Sequence, residues 1–175
     1  MKFNPTKLPG AFVIELEPNE DSRGFFARTF CAREFEDHGL AGTFVQCSVS
    51  LNRKQGTLRG MHYQRPPATE AKLVRCTAGA LYDVIVDLRP GSATFHQHVG
   101  VELTARNRRA LYVPAMCAHG LQTLEDDTEV FYQISAYHAP EAATGVRYND
   151  PRFGIQWPVP VTLVSERDAN WPLLG

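Results

Sequence analysis

The chain has 175 residues, 18 basic against 19 acidic side chains, and 43% hydrophobic residues. This size predicts a single domain over residues 1–175, and the balanced charge argues against nonspecific binding to nucleic acid. No apolar run approaches the roughly 20 residues that a membrane-spanning helix needs, and residues 1–5 lack a signal-peptide pattern. The four cysteines show no C-x-x-C spacing, which indicates reduced thiols and predicts a cytoplasmic protein.

Short runs rich in β-branched and aromatic residues recur along the chain, separated by Gly, Pro, Asn and Asp. This spacing favours an antiparallel sandwich or barrel over βαβ units. One short helix is predicted over residues 32–38, ended by Gly39, and the prolines after Pro151 predict a C-terminal arm over residues 151–175 packed on the body. The predicted strands are residues 11–16, 43–50, 57–64, 71–77, 80–88, 98–104, 109–113, 120–124 and 128–136.

Two segments have the spacing of the metal-binding motifs of cupins, but several ligand positions are changed. Gln64 stands where the second histidine of His-x-His would be, Lys72 replaces the carboxylate, and Met116 replaces the glycine of Pro-x-Gly-x-x-His. An ammonium group at that position would expel a divalent ion and leave a fixed positive charge. The sequence therefore predicts an all-β fold, a cupin-type jelly roll or double-stranded β-helix, whose mouth holds an anion and no metal.

Two residues of the first motif have both a functional and a structural interpretation. His62 is either a base or a structural histidine, and it shares a face with Arg59 only if Gly60 bends or bulges the strand. Lys72 either extends its ammonium group to solvent or stabilises an oxyanion beside a histidine. The residues alone leave these alternatives open.

Two further residues and one further motif also have both a functional and a structural interpretation. Tyr132 on a predicted core strand either packs or donates a proton, and Asp168 on its own reads as a turn or helix-cap residue. His96 and His98, with Glu102 four residues on, also form a His-x-His pattern. They lack the downstream glycine and histidine, so we do not expect them to bind metal.

Taken together, these segments resemble the dTDP-4-dehydrorhamnose 3,5-epimerase family of deoxysugar biosynthesis. The resemblance covers nearly the whole chain in order. The matching segments are residues 23–26, 56–64, 72–75, 83–89, 99–103, 118–120, 149–151, 154–158 and 165–168.

The resemblance implies a homodimeric jelly-roll isomerase without metal or cofactor that acts on a nucleotide-diphosphate 4-ketosugar in rhamnose-like biosynthesis. It implies that His62 is the base, supported by Asp168, that Tyr132 is the acid, and that Lys72 stabilises the enolate. The substrate contacts that it implies are Arg23, Phe26, Gln46, Ser48, Arg59 and His119.

The residue types agree with that chemistry, because a C4 ketone acidifies the hydrogens on C3 and C5 and the resulting enolate needs a cation or strong donor. Reprotonation from the other face inverts the centre, which requires a base and an acid on opposite sides of the sugar. Asp168 would orient His62 and favour its imidazolium, and the arginines suit a diphosphate.

The chain also departs from the family's pattern. Arg28 replaces a glutamate, and Cys47 and Ser48 replace the Asp-Asn pair that follows Gln46. These changes leave open the exact nucleotide and sugar, and whether C3, C5 or both are inverted. The alternatives are a single-centre epimerase on another nucleotide sugar, a 3,4-ketoisomerase, a non-catalytic sugar-nucleotide-binding jelly roll, and a metal-dependent oxygenase.

Overall fold

A computed structural model describes residues 1–174, and strands account for most of its regular structure. The two short helices are α1 (Ala32–Asp37) and α2 (Glu166–Ala169). The strands are β1 (Lys2–Pro5), β2 (Phe12–Glu15), β3 (Asn19–Asp21), β4 (Gly24–Phe26), β5 (Gln46–Asn52), β6 (Thr57–Gln64), β7 (Lys72–Ala78), β8 (Ala80–Asp87), β9 (His98–Thr104), β10 (Ala110–Val113), β11 (Cys117–Thr123), β12 (Thr128–Ile134), β13 (Ala143–Gly145) and β14 (Leu163–Val164).

Two largely antiparallel sheets form the body. The first sheet has the order β1-β2-β10-β7-β12-β5 and the second has the order β13-β6-β11-β8-β9, while β3 and β4 form a separate hairpin. From β5 to β13, consecutive strands alternate between the two sheets except at the β8–β9 hairpin. This alternation is the winding of a double-stranded β-helix. The prediction of an all-β, cupin-type jelly roll is confirmed.

The main core lies between the sheets, where alternate residues of each strand point inward. On β7, Val74 and Cys76 belong to this core, whereas Leu73 points to the outer face and packs with Phe35 of α1. Lys72 shares the inner face with Val74 and Cys76, at the end of the strand where the core stops. The strand period therefore directs the Lys72 side chain into the mouth of the jelly roll.

Several predicted boundaries move in the structure because pairing between strands determines them. The strand predicted at residues 43–50 runs from Gln46 to Asn52, since it pairs along its whole length with β12. The strand predicted at 120–124 begins earlier, at Cys117, because β8 pairs with it from there. The short elements β1, β3, β4, β13, β14 and α2 were not predicted, whereas the helix predicted at 32–38 is confirmed as α1.

The segment after Pro151 lies against the outer face of the second sheet. Phe153 joins a buried cluster there with Met61 and Val84, and the Trp157 indole Nε1 donates a hydrogen bond to Tyr148 O at 3.0 Å. The assignment of residues 1–175 to one domain with a C-terminal arm stays a prediction. Within residues 1–174, no helix has the length and apolar character needed to cross a membrane.

Candidate active site

A cavity of about 330 Å³ opens at the mouth between the two sheets. Its walls come from the inner faces of β5, β7 and β12 on one side and of β6 and β11 on the other, and α2 closes one edge. All four residues expected to be catalytic, His62, Lys72, Tyr132 and Asp168, line this cavity. They come from four different elements that only the folded chain brings together.

A β-bulge in β6 turns both Arg59 and His62 towards the cavity. His119 of β11 pairs with His62 and Leu121 pairs with Arg59, so β6 carries one residue more than its partner over this stretch. Gly60 adopts φ +136°, and a Cβ there would lie 2.5 Å from the Cα of Gly120. Only glycine fits that conformation and that approach. The condition under which Arg59 and His62 share a face, a bend or bulge at Gly60, is met.

His62 is held by the carboxylate of Asp168. The Nε2–H of His62 donates to Oδ1 of Asp168 at 2.7 Å, which leaves Nδ1 as the acceptor of the ring. The side chain of Asp168 is only 6% exposed, whereas that of His62 is 38% exposed. The buried carboxylate therefore orients an imidazole that still reaches the cavity.

The surroundings of Asp168 fix the position of its side chain and favour its ionised form. Ser165 caps α2 by accepting a hydrogen bond from Asp168 N, and the carboxylate accepts hydrogen bonds from Gly60 N at 3.1 Å and Trp171 Nε1 at 3.2 Å. Burial opposes its ionisation, but the hydrogen bond and charge of His62 together with these donors lower the pKa of Asp168 below its usual value. Asp168 is thus a carboxylate at neutral pH.

Replacing Asp168 by asparagine should reduce stability most at neutral pH. A carboxyl group whose folded-state pKa is lowered stabilises the fold above its unfolded pKa, and that contribution disappears as the pH falls through the folded pKa. We expect a loss of about 1–3 kcal/mol in the free energy of unfolding near pH 7. Urea denaturation between about pH 3 and 7 measures this loss, which should shrink towards acid. A deficit independent of pH would contradict the charge argument.

Tyr132 lies on β12, on the wall opposite His62. Its hydroxyl is 3.1 Å from Ser50 Oγ, and its ring meets the His119 ring edge-to-face at 6.3 Å between centroids. Burial raises the pKa of Tyr132 to about 12, against the opposing effect of the hydrogen bond with Ser50. Tyr132 is therefore a neutral phenol that can donate a proton.

Lys72 is paired with a carboxylate, which the sequence interpretation missed. Its Nζ lies 3.0 Å from Glu70 Oε1, and the two side chains are 12% and 9% exposed. The sequence predicted a fixed positive charge at Lys72 but not its partner, Glu70, which balances that charge. Glu70 and Lys72 are two residues apart in extended chain and so share a face, and that spacing was visible in the sequence.

A second histidine–carboxylate pair lies deeper in the site. His119 is 5% exposed, and its Nε2–H donates to Oδ1 of the fully buried Asp83 at 2.7 Å. Within residues 1–174, Asp83 Oδ2 is the buried side-chain atom without a hydrogen-bond partner. Asp83 was not predicted, although a carboxylate inside the apolar run 80–88 is itself a signal, since unpaired carboxylates are seldom fully buried.

The remaining contacts around the cavity come mainly from polar side chains. Asn52 Oδ1 accepts a hydrogen bond from Arg59 Nε at 2.6 Å, and Gln46 Oε1 accepts one from His138 N at 2.6 Å. Ser48 also faces the cavity, as do His138 and Arg167, which were not predicted. The site thus includes four of the six expected substrate contacts: Gln46, Ser48, Arg59 and His119.

Arg23 and Phe26 are not brought to the cavity of their own chain. Both lie on the β3–β4 hairpin; the Arg23 side chain is 87% exposed and bonds Asp21, and Phe26 is 76% exposed. The neighbouring Phe25 packs under the guanidinium of Arg108, 4.5 Å from its ring centroid. Neither residue lines the cavity of its own chain, and their expected role as substrate contacts stays a prediction.

The residues that suggested a metal site, Gln64, His96 and His98, have other partners in the structure. Gln64 donates from Nε2 to Ala68 O at 2.8 Å and accepts from Ala139 N at 2.7 Å, which clasps two loops beside the cavity. The ring of His98 bonds Phe153 O at 2.8 Å, and His96 stacks on Phe95. In the part of the chain that the structure describes, no group of three His, Cys, Asp or Glu side chains could hold a metal ion.

Comparison with known proteins identifies the family. The sequence model of the family described as dTDP-4-dehydrorhamnose 3,5-epimerase matches residues 5–175. A curated dTDP-4-dehydrorhamnose 3,5-epimerase of Sinorhizobium fredii is 43% identical over 175 residues, which cover 99% of this chain and 90% of that protein. The chain belongs to the dTDP-4-dehydrorhamnose 3,5-epimerase family.

Solved structures of related epimerases have the same fold. A dTDP-4-dehydrorhamnose 3,5-epimerase from Bacillus anthracis, with TDP and PPi bound, superposes with a TM-score of 0.94 at 40% identity, covering 99% of both chains. A 3'-monoepimerase from Streptomyces bikiniensis, in complex with dTDP-quinovose, has a TM-score of 0.87 at 34% identity, with 96% and 85% covered. As a member of the dTDP-4-dehydrorhamnose 3,5-epimerase family, the chain is an isomerase, which removes the oxygenase alternative.

Proposed function

We propose that this enzyme inverts C3, C5 or both in a dTDP-linked 4-keto-6-deoxyhexose, with the chain's own side chains supplying base, acid and enolate stabiliser. The observation that carries the proposal is the placement of His62 and Tyr132 on opposite walls of one cavity, with Lys72 also lining it. Inversion requires proton removal on one face of the sugar and proton delivery on the other.

The reaction conserves atoms and electrons. His62 takes the proton from C3 or C5, and the electron pair of the broken C–H bond forms the enolate, whose charge rests on the C4 oxygen. Lys72 donates to that oxygen, and Asp168 stabilises the imidazolium formed at His62. Tyr132 then protonates the carbon from the opposite face, and the ketone re-forms. The imidazolium of His62 releases its proton to solvent and the phenolate of Tyr132 takes one up, which restores the enzyme.

The substrate class rests on the family and on the distribution of charge in the cavity. The Bacillus relative binds TDP and the Streptomyces relative binds dTDP-quinovose, both thymidine nucleotides. Arg59 and Arg167 line the cavity, and Arg59 is held by the neutral amide of Asn52 rather than by a carboxylate. A cation without a carboxylate partner suits the diphosphate of such a nucleotide.

Inversion at a single carbon is the second candidate activity. The Streptomyces relative is a 3'-monoepimerase and yet shares this fold at 34% identity. Ser48 and Cys47 also depart from the family's usual residues on β5, and Ser48 lines the cavity. Both activities use the same base and acid, so the number of carbons inverted must be measured directly.

Deuterium exchange tests the proposed function. The enzyme is incubated in D2O with dTDP-4-keto-6-deoxyglucose, and NMR follows deuterium at C3 and C5 and the configuration of each carbon. Exchange at both carbons with inversion supports the 3,5-epimerase, and exchange at one carbon supports the single-centre enzyme. Movement of the carbonyl to C3 would instead show a ketoisomerase, and no exchange with any 4-ketosugar nucleotide would refute the proposal.

We also propose that the enzyme is a homodimer in which the hairpin of one subunit completes the cavity of the other. The support is the exposure of Arg23 and Phe26 away from their own cavity. In addition, β5 is an edge strand whose outward side chains Val49 and Leu51 are 59% and 45% exposed. Exposed apolar side chains on an edge strand are typical of association surfaces.

The absence of disulfides among the four cysteines supports a cytoplasmic location.

Coexpression of two inactive variants distinguishes a shared site from a self-contained one. If Arg23 acts in the partner's cavity, a dimer of Arg23→Ala with His62→Ala contains one wholly native site. Random pairing then restores about one quarter of wild-type activity. If Arg23 acts in its own chain or not at all, the mixture shows no gain over the separate variants. Light scattering reports the oligomeric state of each preparation.

A further inference from the structure

The ion pair between Glu70 and Lys72 lies inside the cavity, and Glu70 takes no part in the proton transfers of the proposed reaction. Both side chains line the cavity, their charged atoms are 3.0 Å apart, and they are 9% and 12% exposed. A buried ammonium without a partner tends to lose its proton, because burial disfavours the charged form. The carboxylate beside it opposes that loss.

The backbone on both sides holds this pair in place. Ala71, between the two residues, donates from its N–H to Ser135 Oγ at 2.8 Å and accepts at its carbonyl from Ser135 N at 3.0 Å. The loop before it is tied by the buried Gln64, whose Nε2 donates to Ala68 O. Glu70 is thus fixed to the end of β12 and does not depend on a flexible loop to reach Lys72.

We propose that Glu70 is a positioning residue that keeps Lys72 protonated and directs its Nζ towards the C4 oxygen of the ketosugar. This inference rests on the proposed function, because it concerns the group that stabilises the enolate. The pair has no net charge while the neutral ketone is bound, and the ammonium can share its protons with a second oxygen as negative charge develops there.

Other charged and titratable side chains also face Lys72 across the cavity. From β6, β11, β12 and the segments beyond them, these are Arg59, His62, Tyr63, His119, Tyr132, His138 and the pair Arg167–Asp168. All of these side chains are retained when Glu70 alone is replaced. Burial also keeps Tyr132 protonated to about pH 12, so a loss of activity at lower pH is not its titration.

The Glu70→Gln variant, which keeps the size and an acceptor oxygen, tests this role. We expect kcat for deuterium exchange to fall at least tenfold near pH 9 but less than threefold near pH 6.5, with KM changed less than about threefold. The reason is that an unpaired buried ammonium loses its proton more readily. The decrease of kcat on the alkaline side of its pH profile, its alkaline limb, therefore moves to lower pH. Glu70→Asp, which retains the charge, should restore the limb at least in part.

A second measurement does not depend on activity. The chain has four lysines, Lys2, Lys7, Lys54 and Lys72, so side-chain ¹⁵N NMR can follow Lys72 alone, with Lys72→Arg as the assignment control. Lys72 should lose its proton at lower pH in Glu70→Gln than in the wild type. Glu102→Gln, an exposed carboxylate on β9 outside the cavity, is the matched control and should change neither readout.

The outcomes separate the two proposals. Coinciding Lys72 titrations in the wild type, Glu70→Gln and Glu70→Asp would overturn the role of Glu70, as would a loss of activity equal at every pH. Absence of exchange in the wild-type enzyme would instead overturn the proposed function, while the Lys72 titration would still decide whether Glu70 holds its proton. If Glu70→Gln fails to fold, Glu70→Ala, which also removes the carboxylate, takes its place in the same two readouts.

Discussion

The His62→Ala variant should lose deuterium exchange at both C3 and C5, by roughly 10²- to 10⁴-fold. His62 is the half-exposed imidazole of the cavity, it is oriented by a buried carboxylate, and its free ring nitrogen can accept a proton. Because proton removal precedes every later step, neither exchange nor inversion can proceed without the base.

The measurement is the initial rate of deuterium incorporation, with substrate binding followed separately by calorimetry. Binding should be largely retained, since the arginines that suit the diphosphate are unchanged. The matched control is His96→Ala, because His96 stacks on Phe95 and does not line the cavity. Retention of native exchange rates in His62→Ala would remove His62 from the role of base.

The Tyr132→Phe variant should separate exchange from inversion. The phenol of Tyr132 faces the cavity from the wall opposite His62, and burial raises its pKa to about 12, so it is a neutral donor at physiological pH. Without the hydroxyl, His62 can still remove the proton and the enolate can still form. Return of the proton is then possible only from the side of His62, where deuterium from solvent enters with retention of configuration.

We therefore expect exchange within about tenfold of the wild-type rate and loss of inversion by roughly 10²-fold or more. Product NMR measures both quantities in one sample, since deuterium content and configuration are read at each carbon. Tyr82→Phe on β8 is the control, because that ring packs near Trp157 and does not line the cavity. Equal losses of exchange and inversion in Tyr132→Phe would instead assign the tyrosine to the first proton transfer.

The strand pattern of the sequence was sufficient to predict the class of fold and the direction of several side chains. Alternation along β12 separates Tyr132 from Phe131, and alternation along β7 places Lys72 on the same side as Val74. These are local properties, because a strand has a period of two residues wherever it lies. The motif spacing also named His62, and the family resemblance named Asp168. The two residues are 106 positions apart in the chain, and their side chains meet at 2.7 Å.

Pairing between distant segments decided what the local pattern could not. The bulge at Gly60 depends on the close approach of Gly120 in β11, and Asp83 becomes a partner of His119 only because β8 lies beside β11. The position of Arg23 outside its own cavity is likewise a property of where the β3–β4 hairpin lies. The alternation of residues within any one strand does not determine the distances between these segments.

Lys72 shows most clearly what the sequence determined and what the tertiary structure added. By itself the sequence determined an ammonium at the position of a metal-binding carboxylate, on the inner face of a strand of an all-β chain. Only the tertiary structure showed that its charge is balanced by Glu70, buried beside it and held in place through Ala71 and Ser135. The physical reason is that charge state and direction of a buried group depend on desolvation and on partners from other strands, which the fold alone supplies.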